Sequence, residues 1–394
     1  MRLWAGQTIS VFGSMIGGTA MSFTAILFLR ATPFQMGVLN AMQMLPAFLI
    51  GLVAGAWVDR LRRRPLMIGV DLGRALILAT IPIAALLGVL RIEQVFLVAF
   101  IVSILTIFFD VAYQSYLPSL VGPKDLLEGN SKLSASAAVA EFGGFTLAGW
   151  LVQLLTAPFA ILIDAISFLV SAASLGWIRT REPAAVSQEQ PDLRREIREG
   201  WREILHQPLL RASALGILIH QWADGIYGAL VVLYMSRGLG FSPGVLSMMW
   251  AVGGVSSFLG ASLAPRITKR IGLGLSMAIG LGVAGLSSVF IPLAQGATWI
   301  SAILLMAAQL GDGFATLYEI NAVSLRQGMA SERVLGRVNA TMRVLGLGAL
   351  LAGSLLGGWL GGTVGVRPIL FLGAGGTLLA ALVLLLSPLR RHKM

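Results

Sequence analysis

Long apolar runs, separated by short polar segments, make up most of the chain. Within each run the apolar residues follow one another continuously, whereas the strands of a membrane barrel alternate every second residue. A helix needs about 20 mostly apolar residues to span a bilayer. The pattern therefore predicts an all-α integral membrane protein with twelve spanning helices. The predicted spans are residues 5–28, 34–56, 66–90, 94–117, 134–156, 158–178, 209–235, 242–264, 274–294, 297–319, 337–360 and 367–388.

One long polar segment, residues 179–208, interrupts this pattern. Its first part is typical of a linker, and residues 193–205 have the spacing of an amphipathic helix, which we expect to lie along the inner membrane surface. The apolar side of that helix comprises Leu193, Ile197, Trp201, Ile204 and Leu205. The predicted domains are an N-terminal six-helix bundle (1–178), a cytoplasmic linker (179–208) and a C-terminal six-helix bundle (209–394).

The two halves contain similar polar stretches at an offset of about 205 residues. Phe109-Asp-Val-Ala ends the fourth span, and Gly311-Asp-Gly-Phe ends the tenth. The basic stretch after the second span has a counterpart, Arg266-Ile-Thr-Lys-Arg270, after the eighth. Two pseudo-symmetric six-helix bundles are typical of a transporter whose substrate site lies between its halves.

The distribution of charge fixes an orientation. The net charge is +11, which would also suit a nucleic-acid-binding protein. Each predicted external loop, however, holds at most one basic residue (Arg30, Arg91, Arg237 or Arg367), and nearly all the others fall on the opposite side. This asymmetry follows the positive-inside rule and predicts that both termini are cytoplasmic. We therefore expect a bilayer partner and no nucleic-acid partner.

Residue types limit the possible cofactors. The chain has no cysteine and only three histidines, which argues against disulfides and against thiolate or histidine metal sites. It also lacks the phosphate-cradling motif of ATP-driven pumps. We expect no metal and no cofactor, no enzymatic activity, and a proton gradient as the energy source.

The most basic loop, Gly55-Ala-Trp-Val-Asp59-Arg60-Leu-Arg-Arg63-Arg64, lies between the second and third spans. Its arginines are predicted to hold the loop in the cytosol. Asp59 ends the second span, where the C-terminal end of the helix dipole disfavours an acid. Asp59 is therefore predicted to pair with an arginine or with a helix N-terminus elsewhere in the bundle.

This loop resembles the signature loop of the major facilitator superfamily, with Arg62 in place of a family glycine. Four further stretches resemble the branch that contains macrolide efflux proteins and the enterobactin exporter; they begin at Phe109, Asp125, Ile163 and Ser324. The resemblance covers nearly the whole chain. Two departures are Gly13-Ser14, where the branch has Gly-Asp, and Gly144-Phe145, where it has Gly-Pro.

The resemblance implies a central cavity lined by spans one, four, seven and ten. It also implies that Asp59 meets the start of span eleven, near Gly336 and Arg337, and thereby latches the two halves on the inner side. Acidic and basic residues in the inner halves of spans three to five are expected to neutralise one another beside this gate. The predicted gate residues are Gly55, Asp59, Arg60, Arg63, Arg64, Asp71, Arg74, Asp110, Glu141, Gly336 and Arg337.

Polar side chains recur on single helical faces of three of the implied cavity spans. An ionisable group within hydrocarbon costs ~2.5–3.5 kcal/mol, so each such group needs a reason. The predicted cavity residues are Thr106 and Tyr113 in span four, Gln221, Trp222 and Tyr227 in span seven, and Gln309 and Thr316 in span ten.

Asp224 lies near the middle of span seven, where removal from water favours the protonated form of a carboxyl group. His220, one turn away, could assist or pair with it. Asp312 and Glu319 in span ten share this assignment, so all four are candidates for proton coupling. Pairing with neighbouring helices is the structural alternative for each of them, and it is the role expected for Asp164 in span six.

These features predict a monomeric secondary transporter of the inner (cytoplasmic) membrane that exports small amphipathic molecules by proton antiport. The few arginines within the spans favour apolar or cationic cargo. One alternative is an importer or facilitator of a small metabolite. Another is a transporter-like membrane sensor without flux.

Overall fold

A computed structural model of the chain describes residues 2–51, 54–58, 60–120, 126–178 and 193–391. All regular elements within these ranges are helical. The helices are α1 (Arg2–Phe23), α2 (Pro33–Ile50), α3 (Ala54–Val58), α4 (Arg63–Leu86), α5 (Ile92–Leu120), α6 (Leu126–Leu155), α7 (Ala157–Gly176), α8 (Leu193–His206), α9 (Pro208–Leu233), α10 (Pro243–Ile271), α11 (Leu273–Ser288), α12 (Phe290–Leu293), α13 (Trp299–Gln309), α14 (Gly311–Met329), α15 (Glu332–Thr363) and α16 (Val366–Leu386).

The predicted fold class is confirmed. Every predicted span coincides with one helix or with two successive helices. Among the residues that the structure describes, ten helices are long and apolar enough to cross a membrane, and α6 contains a shorter apolar segment, Gly143–Leu155. The amphipathic segment forms α8, within one residue of its predicted bounds.

The helices form two compact units. The first contains α1, the later part of α2, the helices from α3 to α7, and the stretch Ser242–Ser247 at the start of α10. The second contains the stretch Thr32–Ala41 at the start of α2, then α8, α9 and the remaining helices. α8 is thus part of the second unit, in which it packs against α9 and α15.

Glycines allow helix backbones to approach closely inside each unit. In the first unit, a Cβ added at Gly6 of α1 would lie 2.8 Å from the Cβ of Ser174 in α7. In the second, a Cβ added at Gly357 of α15 would lie 2.8 Å from the Cα of Ile226 in α9. Side chains larger than hydrogen would push these helices apart. Such contacts suit spanning helices, whose association depends on close packing because lipid removes the hydrophobic driving force.

The two halves repeat each other in backbone shape even where their residues differ. A five-residue π-helical turn, Thr24–Phe28, follows α1, and a second one, Tyr234–Gly238, follows α9 at 210 positions further along. Arg30 has φ +52°, and Gly240, at the same offset, has φ +86°. The internal repeat that the sequence indicated only weakly is therefore clear in the chain's conformation.

A second pair of equivalent positions holds a strained residue in one half only. Thr156, immediately before α7, has φ 66° and ψ 155°, and Gly365, immediately before α16, has φ 102° and ψ 151°. This region of backbone space is favourable essentially only for glycine. The second half thus has the residue that the turn requires, whereas the first half has a β-branched one.

We expect Thr156→Gly to stabilise the protein, because glycine adopts this conformation without the steric cost that Thr156 bears. The apparent midpoint of thermal unfolding of the purified protein in detergent should rise by roughly 1–4 °C. The reciprocal control, Gly365→Thr, should lower the midpoint. An unchanged or lower midpoint for Thr156→Gly would contradict this account of the turn.

Candidate functional site

Acidic and aromatic side chains from α9 and α14 meet in the second unit. His220, Asp224 and Tyr227 lie on one face of α9, as the sequence spacing predicted. The ring of His220 makes an edge-to-face contact with Tyr318 of α14, with the centroids 5.5 Å apart. Asp224 interacts electrostatically with His220 and with Asp312 of α14. We call His220, Asp224, Tyr227 and Asp312 the carboxylate cluster.

Span ten is locally irregular beside this cluster. α13 ends at Gln309 and α14 begins at Gly311, while Leu310 between them keeps helical backbone angles, so the two helices form one candidate span, Trp299–Met329. The hydroxyl of Ser256 in α10 donates to the Leu310 carbonyl at 2.8 Å and accepts from the Gly313 amide at 3.1 Å. Glycines weaken a helix, and here a serine of the neighbouring helix supplies hydrogen bonds at the irregular turn.

The turn holds Asp312 directly against α10. Gly253 of α10 faces Asp312 so closely that a Cβ there would clash with its carboxylate, and it would also lie 3.2 Å from Nε2 of Gln309. Gln309 and Asp312 therefore share the face that the sequence predicted. The importance of Gly253 and Ser256 was missed, because a glycine and a serine in an apolar span are usual packing residues.

Tyr227 links α9 to α11. Its hydroxyl hydrogen-bonds with the side chain of Ser288, and the residue interacts electrostatically with Asp224 and Asp312. Other predicted cavity residues point elsewhere. Gln221 lies beside Gly346 of α15, and the Trp222 ring lies 3.8 Å from the position of a Cβ at Gly376 in α16.

The two remaining residues predicted in span ten, Thr316 and Glu319, both lie on α14. Thr316 donates its hydroxyl to the carbonyl of Asp312, one turn earlier in α14, at 2.9 Å. Glu319 is exposed on the same helix. Neither position contradicts a functional role, and the roles themselves stay predictions.

The carboxylate cluster favours positively charged ligands. The cluster contains two carboxylates and one histidine. The charged group that interacts with Asp312 is another acid, Asp224. Asp224 is exposed and Asp312 is half-buried, so both are accessible to a ligand. Among the described residues, no group of three or more His, Asp or Glu side chains could hold a metal ion.

The first unit contains a different charged cluster, centred on Arg74 of α4. Arg74 forms a buried ion pair with Asp71, one turn earlier in the same helix. Its guanidinium lies 4.4 Å from the ring centroid of Phe109 in α5 and 3.9 Å from that of Phe168 in α7. Nη1 also lies 3.4 Å from the hydroxyl of Thr106. A cation held between two aromatic faces and an acid is strongly fixed in position.

Asp164 of α7 extends the Arg74 cluster towards α1. Its Oδ1 accepts a hydrogen bond from Ser14 at 3.3 Å and lies 3.4 Å from the Ser167 hydroxyl. The absent side chain of Gly17 leaves the space that this carboxylate occupies, and the absent side chain of Gly13 leaves room for Ser167. Asp164 and Asp110 both interact electrostatically with Arg74. Ser14, at the position where the related branch has an acid, thus contacts an acid from another helix.

The structure brings together three of the four residues predicted to neutralise one another, namely Asp71, Arg74 and Asp110. The side chain of Glu141 lies outside the described part of the chain. Tyr113, one of the predicted cavity residues, stacks on Phe109 with the centroids 6.2 Å apart. Sequence reasoning assigned Asp164 a structural role but did not connect it with Arg74, since nothing local indicates that contact.

The predicted gate residues are only partly described. Asp59 lies outside the described residues, so its latch with α15 stays a prediction. Arg64 donates hydrogen bonds to the carbonyls of Leu175 and Gly176, at 2.8 Å and 2.6 Å, where it caps the end of α7.

Arg337 of α15 forms an ion pair with Glu199 of α8, which sequence reasoning missed. Gly55 lies in α3, Arg60 follows it, Arg63 begins α4, and Gly336 is exposed on α15.

Comparison with known proteins supplies the family. The family model described as "Major Facilitator Superfamily" matches residues 3–346. The MFS-type transporter YfiS of Bacillus subtilis is 24% identical over 383 residues, which are 92% of this chain and 87% of YfiS. The multidrug efflux pump Tap of Mycolicibacterium fortuitum is 27% identical over 79% of this chain and 78% of Tap. Macrolide efflux protein A of Streptococcus pyogenes is 26% identical over 50% of this chain and 49% of that protein.

The fold agrees with the family match. The crystal structure of the nucleoside transporter NupG superposes with a TM-score of 0.77 at 14% identity, covering 100% of both chains. At this identity the likeness concerns the fold alone. The match of the family model over most of the chain confirms the resemblance indicated by the loop after span two. The chain is therefore a multi-pass membrane transporter that belongs to the Major Facilitator Superfamily.

Proposed function

We propose that this transporter exports small, amphipathic, cationic molecules across the cytoplasmic membrane in exchange for protons. The observation that carries the proposal is the carboxylate cluster, in which Asp224 interacts with both Asp312 and His220. Intramembrane acids are costly, and those that face an accessible space commonly mark ion pathways.

The chemistry of exchange follows from the excess of acid in the cluster. With both carboxylates ionised, the cluster attracts a cation. When a proton binds Asp224, one negative charge disappears and the attraction for the cargo weakens. Loss of that proton on the other side of the membrane restores the original state. Competition between a proton and an organic cation for the same carboxylates is thus sufficient for antiport.

The contrast with the first unit supports this assignment. The acids of the Arg74 cluster already have a cationic partner, whose guanidinium is fixed between two rings. The carboxylate cluster has His220, whose imidazole, unlike a guanidinium, also exists as a neutral group. Its acids are therefore better suited to bind an exchangeable cation.

The relatives favour efflux, and the fold does not decide the direction. Tap is named a multidrug efflux pump, and the Streptococcus protein is named a macrolide efflux protein. The structural neighbour NupG is a nucleoside transporter. Import of a small metabolite is consequently the second candidate.

We expect Asp224→Asn to abolish the coupling of cargo movement to the proton gradient, because the amide cannot exchange a proton. Everted membrane vesicles with an acidic lumen, which should accumulate ethidium through the native protein, measure this directly. Accumulation should fall at least about tenfold. The matched control is Glu93→Gln, an equivalent change at an exposed position in the first turn of α5, which should transport normally.

Gradient-driven accumulation at the native level in Asp224→Asn would contradict the assigned coupling role. Failure of the native protein to load everted vesicles, combined with accumulation in right-side-out vesicles, would favour the importer instead.

We expect Gly253→Ala to impair transport while the protein still inserts, since the new methyl group must displace the Asp312 carboxylate. A shift of about 1 Å in a functional group can cost roughly a hundredfold in rate, so a loss of tenfold or more is reasonable. The control is Gly375→Ala in α16, where no described atom lies within 4 Å of the added carbon. Vesicle transport normalised to protein content is the measurement, and equal activity of the two variants would contradict the importance of this contact.

A further inference from the structure

One side of α8 is fixed to the second unit. Gly200 packs so closely on α15 that a Cβ there would clash with the Arg337 backbone and the Thr341 hydroxyl. Glu199 forms its ion pair with Arg337. The side chain of Ile204 is buried in a core that includes Val334 of α15. On the predicted apolar side of this helix, Ile204 therefore faces protein.

The other side of α8 carries basic and apolar side chains that are exposed. Four exposed side chains, at intervals of three, one and three residues, form one stripe along the helix; they are Arg198, Trp201, Arg202 and Leu205. Trp201 is 38% exposed and Leu205 is 54% exposed. The two arginines are exposed as well. This stripe faces away from the protein contacts of Gly200 and Ile204.

This stripe lies beside the starts of two candidate membrane spans, in α9 and α15. Gln207 is the single residue between α8 and α9, whose candidate span begins at Pro208. α8 also packs on the first turns of the candidate span Val334–Thr363 in α15. The amide of Gln207 bonds to Glu203 and lies 3.4 Å from the Met329 carbonyl, which secures the corner.

We propose that this stripe of α8, formed by Arg198, Trp201, Arg202 and Leu205, binds the phosphate headgroups of anionic phospholipids. Trp and Leu side chains enter the boundary between headgroups and acyl chains, and arginines bind phosphate oxygens with paired N–H groups. Two neighbouring acids of α8, Glu199 and Glu203, are engaged on other sides of the helix, so the stripe itself is basic. The positive-inside prediction assigns it to the cytoplasmic leaflet.

Lipid binding would also stabilise the docking of α8. Lipid would contact one side of α8, and α15 contacts the other side through Arg337. Anionic lipid would therefore strengthen the attachment of α8 at the predicted cytoplasmic end of α15. This inference does not depend on the cargo or on proton coupling.

The absence of cysteine in the chain makes a direct test possible. The variant Leu205→Cys, labelled with the fluorophore NBD, would be reconstituted at full length into vesicles of phosphatidylcholine and phosphatidylglycerol. In parallel samples a fixed fraction of one lipid or the other carries a nitroxide quencher at the same acyl position. Local enrichment of anionic lipid at α8 should make the quenching by spin-labelled phosphatidylglycerol stronger, by roughly twofold or more.

In this background, Arg198→Gln with Arg202→Gln should make the two labelled lipids quench equally. The matched control is Arg266→Gln with Arg270→Gln, which removes the same charge from exposed positions near the end of α10 and should preserve the preference. High salt should also reduce the preference, since the attraction is electrostatic.

Equal quenching by the two lipids around the native arginines, or no quenching by either, would overturn the proposal. Should the glutamine variant fail to fold, Arg198→Lys with Arg202→Lys provides a second measure. It keeps the charge and should retain most of the preference, whereas loss of the preference in a folded lysine variant at low salt would contradict an electrostatic contact.

Discussion

The cost of an unpaired charge inside a membrane governs the arrangement of the ionisable residues in this transporter. Its two units meet that cost in different ways. In the first, Arg74 is enclosed by an acid on its own helix and by two aromatic rings, and further acids surround it. In the second, Asp224 interacts with another acid, Asp312, and with one histidine, His220. The acids of the first arrangement have an arginine as their partner, whereas those of the second have each other and a histidine.

Helix packing depends on a second constraint, the lack of a hydrophobic force between spans. The structure answers with glycines, which bring polar atoms from neighbouring helices into contact. Gly17 leaves room for the Asp164 carboxylate, and Gly253 leaves room for that of Asp312. In both units a missing side chain on one helix therefore determines where an acid on another helix lies. The close packing of the helices and the positions of their charged groups are therefore coupled in this protein.

Much of the fold could be predicted from the sequence because hydropathy and charge asymmetry act locally. The spans, the amphipathic helix α8 and the pairing of Asp71 with Arg74 three residues later all follow from spacing along one helix. The contacts of Ser14 with Asp164, of Ser256 with the turn at Leu310 and of Glu199 with Arg337 join distant segments, so no local pattern contains them. For the same reason the sequence indicated which residues share a face of α9 but did not show that Gln221 and Trp222 turn towards α15 and α16.

The two π-helical turns, at Thr24–Phe28 and Tyr234–Gly238, bear on how the two halves are related. A π turn amounts to one residue inserted into an α-helix, and it rotates everything beyond it by about a quarter of a turn. Both halves contain this insertion at the same place, although few of their amino acids still match. Duplication and fusion of an ancestral six-helix protein that already had this insertion would produce such a pair of turns. The backbone conformation therefore retains a similarity between the halves that their amino-acid sequences show only weakly.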